Sequence, residues 1–107
     1  MNKVMMVGRM VETPVLKSTQ NGVPVTSFRI AVSKKTAADG DAHFFTVVAW
    51  RGLAENCANF LVSGQRIAVS GELIPRSFQA SDGTMKYTTE IKADEIEFLD
   101  RPKREQE

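Results

Sequence analysis

Three aromatic residues stand where burial does not account for them. Phe44 and Trp50 fall on one parity of the run His43–Trp50, opposite to Phe45, Val47 and Ala49. Phe78 follows Arg76 just before the turn Ser81–Asp82–Gly83–Thr84. Phe28, Phe45, Phe60 and Phe98 fit core parities instead. Lys34, Lys35, Arg51, Arg76 and Lys86 lie near the outlying rings in sequence. Rings beside cations can hold an unpaired nucleic-acid strand: bases stack on the rings and phosphates meet Lys or Arg, with little sequence preference, each good stack contributing roughly 1–3 kcal/mol. The same rings could equally be buried between subunits, and the residues alone leave both readings open.

Catalytic chemistry has little to stand on. One cysteine, Cys57, and one histidine, His43, cannot form a disulfide within the chain or the usual Cys/His zinc site. No glycine-rich segment has the form of a phosphate-binding loop. Asp94, Glu95 and Glu97 read as a solvated strand face. Cys57 lies on an apolar helical stripe and reads as a small core residue. His43 reads as a half-exposed hydrogen-bonding group, or one lining a binding or subunit surface. We therefore expect no catalytic residue, no metal and no cofactor. The apolar start of the chain is closed by Arg9, and nothing approaches the roughly 20 apolar residues that span a bilayer. A cytoplasmic protein with no membrane partner is the expectation.

The elements that would position these residues are mostly strands. Lys3–Val11 carries apolar residues on both parities, with Gly8 in its middle. Gln20–Asn21–Gly22–Val23–Pro24 is the clearest turn, since Asn-Gly tolerates positive φ. Val25–Ser33 alternates, with Phe28, Ile30 and Val32 inward. A polar loop over 34–42 precedes His43–Trp50. Gly52–Leu61 is the one helix, with Leu53, Cys57, Phe60 and Leu61 in a stripe, and Ser63–Gly64 closing it. Gln65–Leu73 follows with a second mid-strand glycine, Gly71. Arg76–Gln79 and Met85–Ile91 form a hairpin, and Ala93–Leu99 is the last strand. Mid-strand glycines, short turns and one central helix point to an all-β fold: a five-stranded Greek-key OB-fold barrel with the helix between the third and fourth main strands. Other small β-rich folds compete on pattern alone. Residues 1–100 form one domain and 101–107 a short polar tail.

The formal net charge of +1 over 107 residues conceals a polarity. Residues 1–92 hold 11 Lys/Arg against 7 Asp/Glu, and residues 93–107 hold 3 against 6. A mildly basic body is compatible with a polyanion partner without requiring one. A chain this short has a thin core, which favours self-association.

The blocks Asn2–Arg9, Asn21–Gly22, Phe44–Trp50, Ala54–Asn56, Leu61–Gly64, Val69–Leu73, Arg76–Phe78, Asp82–Gly83 and Tyr87–Glu90 together resemble bacterial single-stranded DNA-binding proteins, collinearly over residues 1 to about 100. The resemblance implies a homotetramer that wraps single-stranded DNA in replication, recombination, repair or DNA uptake, without catalysis. It puts the stacking rings on Phe44, Trp50 and Phe78. Lys34, Lys35, Arg51, Arg76 and Lys86 are then the expected phosphate contacts. It also assigns the first segment, Val4, Met5, Met6 and Val7, to a subunit contact. A further family aromatic is replaced here by Ser33–Lys34–Lys35–Thr36, which shifts that position toward charge. Full-length members add a glycine-, proline- and glutamine-rich linker and an acidic tip that recruits repair proteins. These 107 residues contain neither, as in a trimmed core or a short tailless paralogue, so recruitment through a tail is not expected of them. Two rivals remain: a primosomal, replication-restart adaptor of the same fold acting through protein contacts, and a purely structural self-assembling barrel.

Overall fold

The computed structural model describes residues 1–34 and 41–100. In chain order these form β1 (Val4–Met10), β2 (Lys17–Ser18), β3 (Pro24–Ser33), β4 (Ala42–Trp50), α1 (Arg51–Phe60), β5 (Arg66–Gln79) and β6 (Met85–Phe98). The strands make one mixed six-stranded sheet in the order β1-β5-β6-β4-β3-β2, and β1 also pairs with β3 at Arg9↔Ala31 and Met10↔Ile30. This corrects the expected five-stranded Greek-key OB-fold barrel. The sheet has six strands, one of its pairings (β4 with β6) is parallel, and the helix lies between β4 and β5. The extra strand, β2, is two residues long and so shows no periodicity. It pairs with β3 across the Asn21–Gly22 turn, where Gly22 has φ 80°.

A second difference concerns continuity. Sequence reasoning separates Gln65–Leu73 from Arg76–Gln79, and Met85–Ile91 from Ala93–Leu99. Each pair is one 14-residue strand. Pro75 lies between the two expected segments and pairs with Thr89 inside the β5–β6 ribbon. β1 covers β5 only as far as Gly71, so the other edge at Pro75 needs no amide donor. Beyond Gly71 the amide of Asn2 takes over for one step: its Nδ2 donates to Leu73 O at 2.9 Å, and its Oδ1 accepts from Leu73 N at 3.0 Å.

The core collects one parity of each strand and one side of the helix. Met10, Phe28, Ile30, Val47, Ala49, Ile67, Val69 and Ile91 are buried together with Ala54, Cys57 and Leu61. Two expected core rings are not there: Phe60 is 44% exposed and Phe98 39%. Both sit at element ends, where parity outlasts the packing that would use it. No side chain caps the start of α1, so its burial against β3 and β4 holds it in place.

The two mid-strand glycines are sites of close approach. A Cβ on Gly8 would lie 2.8 Å from Ala31 O. One on Gly71 would collide with the carbonyl oxygen of Lys92 and come within 2.9 Å of its carbonyl carbon, beside the irregularity in the β5–β6 register. Backbone in a paired strand cannot yield as a side chain does. Gly71→Ala should therefore destabilise the fold by about 3 kcal/mol or more, at the upper end of overpacking costs, as read by urea unfolding. Gly52→Ala, which meets nothing within 4 Å, is the control.

Candidate nucleic-acid interface

Register places the expected rings and cations on one face of the sheet. On β4, Phe44, Thr46, Val48 and Trp50 alternate with the core residues Phe45, Val47 and Ala49. Thr46 pairs with Glu90 and Val48 with Lys92 on β6. Glu90 pairs in turn with Ile74, Thr88 with Arg76 and Lys86 with Phe78 on β5. Directly paired residues share a face. A single surface thus carries Phe44 and Trp50 on β4, and Arg76, Phe78, Lys86 and Lys92 on the β5–β6 ribbon. Phe44 is 60% and Phe78 53% exposed, while Trp50 is half-buried. Six strand residues put Phe44 about 20 Å from Trp50 along β4.

The cations differ in how free they are. Arg76 Nε donates to Glu90 Oε1 at 2.9 Å, an ion pair that lies across the ribbon. Lys34, Lys86 and Arg51 are exposed. Arg51 has φ 58°, the left-handed region, which costs a non-glycine residue roughly 1–2 kcal/mol. That conformation turns the chain from β4 into α1 directly after Trp50. Lys35 lies outside the described residues, as do positions 36–40.

Two clefts open on this face. One, of about 260 Å³, is lined by Val48, Trp50, Ile74, Arg76, Glu90 and Lys92. The other, of about 440 Å³, is lined by Thr19, Val23, Trp50, Arg51 and Lys92. Trp50 and Lys92 border both. Sequence reasoning missed Lys92 because it ended the strand at Ile91, and Glu90 because its pairing with Thr46 of β4 is non-local. The alternation Lys86, Thr88, Glu90, Lys92 was the available signal.

The ribbon ends in a turn fixed by Asp82, whose Oδ1 accepts from Thr84 Oγ1 at 2.7 Å and from Thr84 N at 3.0 Å. The Thr84 hydroxyl, then its amide, hold the Asp82 carboxyl below the usual range. His43 is exposed and lies on the parity of Phe45, its ring 6.4 Å from that of Phe45, and so stands off the face of Phe44 and Trp50.

The first strand divides cleanly. Val4 and Met6 pack against the core, whereas Met5 is 77% and Val7 53% exposed. Met5 and Val7 line a cleft of about 260 Å³ with Ala68, Ser70, Glu95 and Glu97.

Among the described residues no cluster of three His, Cys, Asp or Glu could hold a metal ion, and no helix is long and apolar enough to cross a membrane. The family described as "Single-strand binding protein family" matches residues 1–99. A single-stranded DNA-binding protein of Clostridium tetani is 43% identical over 103 residues, covering 94% of this chain and 71% of the relative. Single-stranded DNA-binding protein 3 of Clostridium acetobutylicum is 42% identical, with 94% and 72% covered. The Bacillus cereus protein of the same description is 40% identical, with 94% and 61% covered.

Cys57 is fully buried, and desolvation pushes its thiol up to about 11. The folded state then holds this proton more tightly than the unfolded chain. The resulting stability is complete below pH about 9 and fades as pH rises toward 11. The stability gap between the wild type and Cys57→Ala should narrow over that window by roughly 2 kcal/mol in urea melts. Native Cys57 should stay unreactive to thiol reagents at pH 8.

Proposed function

The chain belongs to the single-strand binding protein family, and from that membership we propose that it binds single-stranded DNA without sequence preference and protects it, without catalysis. The observation that carries the reading is the shared face of Phe44, Trp50 and Phe78 with cations between them. Bases stack on the three rings, and Lys34, Lys35, Arg51, Arg76 and Lys86 meet phosphates. Lys92 joins them from the larger cleft, which it lines with Arg51. Duplex DNA offers no free base faces to such rings, so the protein favours unpaired strands and opens hairpins by mass action. The binding domain spans residues 1–100.

Self-association completes the reading as a homotetramer. The exposed pair Met5 and Val7 carries the subunit contact, and Val4 and Met6 support it from the core side. An exposed Met–Val pair beside a cleft is the kind of apolar patch that a second copy covers.

Trp50 is the only tryptophan, so its fluorescence reports one site. Titration with oligo(dT) should quench it strongly, and the quench should persist as salt rises. At about 0.5 M salt Trp50→Ala should lose more affinity than Lys34→Ala, because phosphate contacts fade with salt and stacking does not. Equal losses would overturn the stacking assignment. Met5→Glu combined with Val7→Glu should lower the native mass in sedimentation while leaving unfolding cooperative; an unchanged mass removes β1 from the contact.

A further inference from the structure

Glu90 is out of place on a face proposed to hold a polyanion. It lies at the centre of that face, paired with Thr46 of β4 on one side and Ile74 of β5 on the other. Among the described residues lining the cleft beside Trp50 it is the one carboxylate, set among Val48, Ile74, Arg76 and Lys92. Its side chain is 26% exposed, and Oε1 accepts from Arg76 Nε at 2.9 Å. A partly exposed ion pair adds little to stability, so stability gives weak reason for an acid in this position.

We propose that Glu90 is a specificity-determining residue: it keeps the phosphodiester backbone out of the cleft beside Trp50 and so reserves that cleft for bases. The inference rests on the stacking reading above. Without Glu90 the cleft would present two cations over an apolar floor, a seat for any phosphate. A phosphate seated there would displace the base from Trp50. With Glu90 present, Arg76 Nε is taken up inside the cleft, its exposed guanidinium meets a phosphate only at the rim, and a phosphate inside the cleft meets a carboxylate at short range. A base is uncharged and brings amino or imino N–H donors that a carboxylate accepts. Discrimination then comes from a repulsive element aimed at the wrong group, with the attractive cations left at the rim.

The test uses the full chain and two probes of equal length, oligo(dT) and an oligonucleotide of abasic sites with the same phosphates and no bases. Glu90→Gln should raise affinity for the abasic probe by about threefold or more, from removal of one close like charge. Affinity for oligo(dT) should change less, so the ratio of the two falls. The salt slope on oligo(dT) should steepen by about 0.7, one further single-strand phosphate neutralised by the released Arg76. Arg76→Gln leaves the carboxylate unpaired and should move the ratio the other way. If Glu90→Gln does not fold, as judged by urea melts, Arg76→Gln carries the test alone. An unchanged ratio, an equal loss on both probes, or both variants shifting the ratio in one direction would overturn the proposal. A wild-type chain that binds oligo(dT) with no Trp50 quench overturns the stacking reading first. A wild type that quenches while the variants hold its ratio overturns this inference alone.

Discussion

Three residue pairs between β4 and β6 join the two halves of the sheet: Thr46↔Glu90, Val47↔Ile91 and Val48↔Lys92. Both Val47 and Ile91 are essentially inaccessible, so the pairing is held from the core side by apolar burial. On the opposite side the other two pairs set Thr46 and Val48 beside Glu90 and Lys92. The cleft next to Trp50 exists because of that placement. The pairing is parallel, so no turn can produce it, and α1 with the whole of β5 lies between the two strands in sequence. The face that the binding reading depends on is thus a by-product of closing the core.

Close packing elsewhere serves the same end. Gly8 lets β1 approach β3, and Gly71 lets β5 lie against β6 where the register shifts. The first contact brings β1 close to β3, and the second brings β5 close to β6. Arg51 shows the opposite compromise. A glycine stands one position later, yet the left-handed turn falls on the arginine. The strain sits next to Trp50, the ring that borders both clefts, and strained backbone is commonly found in functional sites.

Much of this was legible in the residues. The alternation in β3 and β4 separates core from surface except at Val48, which is buried on the outer face, and it singled out Phe44 and Trp50 because both faces of β4 are apolar. The helix is offset by one residue from its expected bounds. What was not legible is non-local or too short to show a period. The parallel β4–β6 pairing leaves no local trace, and β2 is two residues long. That the edge beside Pro75 is uncovered shows only in the strand pairing. Phe60 and Phe98 keep core parity but lie where the packing has ended. Glu90 and Lys92 belong to the site only through their partners on another strand. The apolar residues on both parities of β1 are explained by two separate surfaces, the core under Val4 and Met6 and the open cleft at Met5 and Val7.

The distal part of the β5–β6 ribbon has a different standing from the rest. Arg76–Gln79 and Met85–Thr89 are exposed on both sides, and their strand pairing runs only to each other. Side chains there support no packing, so exchanging one for another leaves the folded state almost untouched. Selection can therefore rework this arm without threatening the molecule that carries it. Residues such as Phe78, Lys86 and Tyr87 are free to drift with the demands of a ligand, while Val47 and Ile91 are not. The architecture separates what must be kept from what can be explored, and it does so along the length of a single hairpin.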